Sequence, residues 1–301
     1  MKIKKTLYSM ILITAVFFVF QTSGYCAGSG TTGAQFLQIG VGAKPVSLGG
    51  AYTAAAEDVY GLYWNPAGIA FIDKSELTIQ HNEWIEDVAY DYAGYAAKII
   101  DKNYIGIAVY HLNSGEIEGR DLLGNRTGDY KSTDSAMSLT WTMKPENKFA
   151  MGFTGKYIKQ KIDDSSASGI AADAGIKLLC SEEVSFGISL QNLGQKLKFE
   201  SQENKLPFTI RSGISFKNQS LLVSVDVVKV RNEDASVSFG TELNYDRMIF
   251  VRAGYNSYDD DFDKNIYCGL GLNLYKFNFD YAYVMGKELS DCHILGIKYN
   301  F

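Results

Sequence analysis

From about Ser75 onward, hydrophobic and polar residues alternate along the chain. In one run, Phe208, Ile210, Ser212, Ile214 and Phe216 stand opposite Thr209, Arg211, Gly213, Ser215 and Lys217. Leu221, Val223, Val225 and Val227 oppose Ser224 and Asp226. Ala235, Val237, Phe239, Thr241 and Leu243 oppose Ser236, Ser238, Gly240, Glu242 and Asn244. Ile249, Val251, Ala253 and Tyr255 oppose Arg252 and Asn256, and Phe277, Phe279, Tyr281 and Tyr283 oppose Asn278 and Asp280. A period of two places alternate side chains on opposite faces of a strand. Noisier versions occur at Met137–Met143, Ala172–Leu178 and Val184–Leu190. The least regular is Tyr90–Ile99, where Tyr and Ala fall on both faces. Counting runs and the turns between them predicts an all-β chain of about 14 strands of roughly 9–12 residues, the length a tilted membrane strand needs.

The connections sort into two classes. Tight links are expected at Asp101–Asn103, Lys144–Asn147, Ser181–Glu183, Lys217–Gln219, Tyr245–Arg247 and Tyr275–Lys276. Longer, more polar ones fall at Asn113–Gly128, Asn192–Leu206 and Ser257–Asn265, with Glu83–Val88 in the same class. Short and long links alternate, as in outer-membrane barrels. An even strand count lets both termini sit on one side, the periplasm.

Arg211, Asp226, Glu242, Arg252, Asp280 and Lys298 all lie on the less apolar face. In a soluble sandwich that face is outside; in a membrane barrel it lines the lumen. Periodicity alone does not choose between these inside-out arrangements. The N-terminus does bear on it: Lys2, Lys4 and Lys5 precede an apolar run from Leu7 to Phe20 and small residues at Ser23, Gly24 and Ala27. This is the layout of a secretory signal, expected over residues 1–27. An alternative makes Cys26 a lipidated residue, against which stands the bulky Tyr25 before it. No other apolar run approaches helix-spanning length. The chain ends on an alternating "HILGIKYNF", with Tyr299 and the terminal Phe301 resembling the signal by which outer-membrane barrels are recognised for assembly.

Composition adds to the same picture. There are 20 Tyr, 29 Gly and only 4 Pro in 301 residues, which suits unbroken ladders with aromatic ends. A net charge of −5 gives no footprint for nucleic acid. Cys180, Cys268 and Cys292 form no disulfide framework. His81, His111 and His293 have no metal-ligand spacing, and neither a nucleophile elbow nor a phosphate loop is present. No metal, cofactor or catalytic residue is therefore expected. Two weaker alternatives are a rim hydrolase using His111 and calcium at the acidic run Asp259–Asp263, which lacks the EF-hand spacing.

The segment before the first strand is different in kind. "FLQIGVGAKPVSLGGAYTAAAEDVYGLYWNPAGIA", Phe36–Ala70, is rich in Gly and Ala, and it resembles the N-terminal region of the PorV/PorQ family, grouped with the FadL-like outer-membrane proteins. "ISLQNLG" (Ile188–Gly194), "KLPFTIRSGISF" (Lys205–Phe216) and the closing "CHILGIKYNF" are further matching blocks. The resemblance implies a barrel over 75–301 with residues 28–74 folded into its lumen as a hatch. Its marks are Gly49, Gly50 and Ala51, then Trp64, Asn65, Pro66, Ala67 and Gly68. Glu57 and Asp58 are expected to pair with inward Arg211, Arg252 or Lys298. The alternative is a short helix and turn leading into the first strand without a gating role. FadL members move hydrophobic compounds such as long-chain fatty acids; PorV is a component of type IX secretion that carries cargo proteins at the surface. The chain is short for FadL's long outer loops, which favours the PorV/PorQ side. Expected partners are outer-membrane lipid, the barrel assembly machinery, and either secreted cargo or small hydrophobic ligands.

Overall fold

The computed structural model describes residues 32–83, 88–121, 123–199, 202–257, 265–285 and 291–301. The expected signal segment 1–27 and the acidic run 259–263 lie outside the described residues. The strands are β1 (Glu76–Glu83), β2 (Ala89–Ile100), β3 (Asn103–Asn113), β4 (Ile117–Arg120), β5 (Arg126–Tyr130), β6 (Ser132–Glu146), β7 (Phe149–Ile162), β8 (Ser165–Leu179) and β9 (Val184–Gly194). They continue as β10 (Leu197–Phe199), β11 (Gln202–Asn204), β12 (Thr209–Lys217), β13 (Leu221–Val230), β14 (Ala235–Tyr245), β15 (Ile249–Asn256), β16 (Ile266–Leu274), β17 (Phe277–Val284) and β18 (Cys292–Asn300).

Fourteen of these close a barrel, each antiparallel to its neighbours, in the order β1–β2–β3–β6–β7–β8–β9–β12–β13–β14–β15–β16–β17–β18. The seam joins first strand to last, from Glu76 opposite Asn300 to Glu83 opposite His293. Closure leaves no edge strand with unpaired backbone groups, which is what permits a sheet in a membrane. The other strands form two small hairpins, β4–β5 and β10–β11, inside the long links. Those links were expected only as polar loops. Runs of three to five residues carry too little alternation to signal a strand.

The tight links are turns whose backbone the sequence must tolerate. At Tyr245–Met248, Asp246 and Arg247 both take positive φ (52° and 57°), and the Met248 N–H donates to the Tyr245 carbonyl. This is the type I′ geometry that matches strand twist.

Side-chain exposure resolves the inside-out ambiguity. On β14, Val237, Phe239 and Leu243 are 45%, 43% and 58% exposed, while Ser236, Ser238 and Glu242 are buried. The same inversion holds around the ring: Leu139, Phe153, Ile214, Val251, Leu270 and Leu295 face outward, and Thr140, Thr154, Ser215, Arg252 and Asp280 face inward. Apolar outside and polar inside is the arrangement of a membrane barrel, not of a water-soluble one.

Candidate functional site in the barrel interior

A ring of this many strands leaves a lumen that wall side chains alone do not fill. The chain from Thr32 to Ile72 runs through it. Short helical turns at Gln35–Gln38, Ala43–Ser47, Gly61–Trp64 and Pro66–Phe71 are joined by irregular backbone. Leu48, Ala51, Tyr52, Val59, Tyr60, Leu62 and Ile69 in this inner segment are fully buried.

The local sequence explains the turns. Asn65 has extended backbone (φ −161°, ψ 108°), and its side-chain oxygen accepts from the Ala67 N–H at 3.1 Å. Pro66 then occupies the first helical position, where its missing N–H is not needed. The Asn65 amide donates to the Thr53 carbonyl at 2.9 Å and to the wall carbonyl of Ile176 at 3.0 Å, so one side chain caps a turn and ties it to β8. Gly49 and Gly50 both take positive φ (66° and 76°), and a Cβ on Gly49 would stand 2.6 Å from the Tyr255 carbonyl oxygen of β15. The indole N–H of Trp64 donates to the Val41 carbonyl at 2.8 Å, and its ring packs edge-on against Tyr63 at 4.9 Å.

The wall is shaped to receive this segment. Inward positions on β7, β8, β9, β14, β15 and β16 are held by Gly152, Gly175, Gly187, Gly240, Gly254 and Gly269. A Cβ on any of them would overlap the inner segment. A Cβ on Gly152 would lie 2.5 Å from the Pro66 carbonyl carbon, on Gly187 2.6 Å from the Thr53 oxygen, and on Gly240 2.6 Å from the Leu48 oxygen. Backbone therefore lies directly on backbone, an approach only glycine allows.

Polar wall groups satisfy the buried backbone of the segment, as groups withdrawn from water must be. The Asp226 carboxylate accepts from the Tyr52 and Thr53 N–H groups at 3.0 and 2.8 Å. Thr142 donates to the Pro66 carbonyl at 2.7 Å, and Gln191 donates to those of Tyr63 and Trp64. Gln80 accepts from the Gly42 N–H, and Glu76 from that of Val59 at 2.8 Å.

Two ionic clusters complete the contact. Lys177, whose side chain is fully buried, donates to the Ala56 carbonyl at 2.8 Å and to Glu57 at 3.1 Å, while Lys217 reaches the other Glu57 oxygen at 2.7 Å. Asp58 meets Lys44 at 3.4 Å and Lys298 at 3.8 Å and accepts from the Tyr52 hydroxyl at 2.7 Å. Lys298 also meets Glu76 at 3.3 Å.

The sequence-expected residues are therefore distributed among three roles. Asp226 and Lys298 touch the inner segment directly. Arg211 stacks over the Trp64 ring at 4.9 Å and donates to Gln191 at 3.0 Å. Arg252 pairs with Glu242 and Asp280, both at 2.6 Å, and these three brace the wall to itself. Of the expected pairings of Glu57 and Asp58 with Arg211, Arg252 or Lys298, that of Asp58 with Lys298 forms, while Glu57 instead meets Lys177 of β8 and Lys217 of β12. Sequence reasoning missed the glycine belt, the partners Lys177, Lys217 and Gln191, and a buried pair, Lys156–Asp173 at 2.7 Å. Tyr299 and Phe301 pack edge-on at 4.8 Å beside the seam. His81, His111 and His293 lie on the outer face, bonded to Asp91, Ser135 and Tyr281.

The ionic clusters give the contact a pH dependence. Burial opposes the charge on Glu57, but Lys177 and Lys217 outweigh it and hold the carboxyl down to about 2, from an ordinary 4.5. Asp58, likewise opposed by burial, is held down to about 2 by Lys44 and Lys298. A carboxyl depressed in the docked state stabilises docking fully above its ordinary value and loses that contribution as pH falls toward the depressed one. From these two carboxyls, conductance of the reconstituted barrel should rise as pH falls between about 4.5 and 2. A flat profile down to pH 2 excludes the ionic clusters as what holds the segment.

Comparison with known proteins places this architecture. The chain is similar in fold to the toluene transporter TodX of Pseudomonas putida (TM-score 0.63, 12% identity, 86% of this chain and 96% of that one). It is similar also to the monoaromatic hydrocarbon channel CymD (0.63, 13%, 86% and 97%) and to a FadL homologue of Pseudomonas aeruginosa (0.56, 10%, 93% and 100%). At such identities the likeness is one of fold. No curated protein matches the chain in sequence. The family model "Type IX secretion system protein PorV" matches residues 27–233, more than half of the chain. The buried, ion-paired N-terminal segment falls within that match, and the chain belongs to the PorV family.

Proposed function

We propose that the protein is an outer-membrane barrel with both termini on the periplasmic side, that residues 28–74 act as a hatch closing its lumen, and that it serves type IX protein secretion or the surface attachment of secreted cargo. The PorV family match carries this reading. The interior supports it: a segment fixed to the wall by backbone contact, ion pairs and hydrogen bonds suits a surface platform that stays closed better than an open pore. A second reading, uptake of small hydrophobic compounds, is favoured by the likeness in fold to the toluene transporter TodX and the hydrocarbon channel CymD. One cavity beside the inner segment is about 110 Å³ and lined by Gln38, Gln191, Arg211 and Glu233 together with Leu37, Val228 and Val230, a small and partly polar space. A pocket for an apolar compound is larger and mostly apolar. Chemistry at the barrel rim is not favoured by the His111 surroundings, where the ring bonds Ser135 and the cross-strand carboxylate of Asp91 is bonded to His81 instead.

The deciding experiment is deletion of the gene with a census of secreted and surface-attached proteins, alongside co-purification from the membrane. Loss of a defined set of exported proteins is expected. An unchanged census together with slower growth on aromatic or fatty-acid substrates would reverse the order of the two readings.

A further inference from the structure

The outer wall is not uniformly convex. Across β15–β18 and β1, on both sides of the seam, lies a groove of about 840 Å³. Its sides are Ile79, Leu270, Leu272, Phe279, Leu295 and Ile297, all outward-facing. Its floor follows one register row, in which Gly271 faces Asp280 and Asp280 faces Gly296, with the Asp280 side chain turned inward to Arg252. The groove is thus an apolar trough on a face that meets lipid.

Its two ends differ in charge. The end toward the tight turns is flanked by an aromatic cluster, Phe277 against Phe279 at 6.1 Å and against Tyr299 at 4.9 Å. Lys276 stands over the Tyr299 ring at 5.6 Å. Arg247 lies in the neighbouring turn, two residues before the groove-lining Ile249. Neither cation has a carboxylate partner within ion-pair distance among the described residues; Asp246 shares the turn with Arg247, so Lys276 is the stronger of the two. At the far end the groove stops at His81 and Tyr281. There His81 is bonded to Asp91 at 2.7 Å, Tyr281 to His293 at 2.8 Å, and Asp291 accepts from Tyr283 at 2.7 Å. Carboxylates at that end repel a phosphate; cations at the turn end attract one.

We propose that this groove is a phospholipid site: one acyl chain lies in the trough between β15–β18 and β1, and the phosphate sits at Lys276 and Arg247 at the tight-turn rim. From the Phe277 row to the Tyr281 row the trough spans four residues, about 13 Å at ~3.3 Å per residue, enough for the greater part of a chain entering from that leaflet. The site straddles the β1–β18 closure, so a seated lipid covers the joint between the ends of the barrel. This inference rests on the outer-membrane reading but not on a role in secretion.

The test is native mass spectrometry of the full barrel during stepwise delipidation in mild detergent. Wild type should keep one phospholipid after bulk lipid is gone. Lys276→Glu should lower that retention roughly tenfold by reversing the charge at the mouth, and Leu295→Trp should abolish it by filling the trough. Leu243→Trp, equally exposed on β14 and outside the groove, should retain lipid as wild type does. Heat-modifiable mobility on gels reports that each variant is a closed barrel. Equal retention in all variants, or retention of a lipopolysaccharide instead of a phospholipid, overturns the proposal. Secretion phenotypes are read separately, so a failed secretion reading leaves the lipid result standing.

Discussion

Replacing Gly175 by Leu should displace the inner segment and raise the conductance of the barrel. Gly175 faces inward on β8, and a Cβ there would overlap the Asn65 side-chain oxygen and stand 2.8 Å from Pro66 Cδ. Neither neighbour is a flexible chain end. Asn65 is held by three hydrogen bonds and Pro66 by its ring and by Thr142. Leucine therefore cannot be accommodated by a rotamer change; either the wall bends or the segment leaves. The wall is fixed by ladders on both sides, from Gly175 paired with Gly152 to Gly175 paired with Ser189, so the segment yields. Planar-bilayer recordings should show conductance at least roughly tenfold above wild type, since a lumen of this strand number is wide once unfilled. Gly155→Leu is the matched control: it lies on β7 with open space where its Cβ would project. Equal conductance in both variants would remove the hatch role from the inner segment, and its packing would then be that of a leader into β1.

How much of this was legible beforehand differs between wall and interior. The alternation at β14 made its faces plain, because every inward residue is small or polar and every outward one but Ala235 and Thr241 is large and apolar. At β2 the pattern blurred, since Tyr90 and Tyr92 point inward, Tyr92 packing on Tyr110, which in turn meets Tyr63, while Ala93 and Ala97 point out. A buried tyrosine and an outward alanine invert the usual signal. The charged residues of the inward face were visible as a face, but their partners were not. Arg252 finds Glu242 on the adjacent strand, whereas Glu57 finds Lys177 and Lys217, more than a hundred residues away. Such pairings depend on which strands pass beside which turn of the hatch. The glycine belt was hidden for the same reason: Gly152, Gly175 and Gly187 each look like a gap in a strand, and only their shared contact with the inner segment gives them a meaning. Periodicity gave no reading of Phe36–Ala70; only the resemblance of that block to the PorV/PorQ family did, and its role as a hatch is a proposal.

The Glu57–Lys177 contact allows a sharper test of what holds the hatch, because the order of effects is unusual. Lys177 is the wall partner with no exposed side-chain surface, whereas Glu57 is partly exposed and has a second cation in Lys217. Glu57→Gln should therefore be the more damaging change. It leaves the Lys177 ammonium buried with the Ala56 carbonyl, the face of Phe71 and a weak amide but no carboxylate, and breaking such a pair costs about 3–5 kcal/mol. Lys177→Met removes the buried charge itself and leaves Glu57 with Lys217. It orphans one carbonyl, for about 1–3 kcal/mol. The double variant should resemble Lys177→Met alone, since once the ammonium is gone the carboxylate keeps only its contact with exposed Lys217, worth at most about 1 kcal/mol. Docking is read from the labelling rate of a cysteine placed at Ala70, a fully buried hatch position, with Cys180, Cys268 and Cys292 replaced. At about 1.4 kcal/mol per tenfold, Glu57→Gln should speed labelling roughly 10²–10⁴-fold, and the double variant should bring it back to the Lys177→Met rate. If the two single changes are equal and their effects add, the contact is an ordinary surface pair, and the hatch is held by the glycine belt and the hydrogen bonds of Asp226 and Asn65 alone.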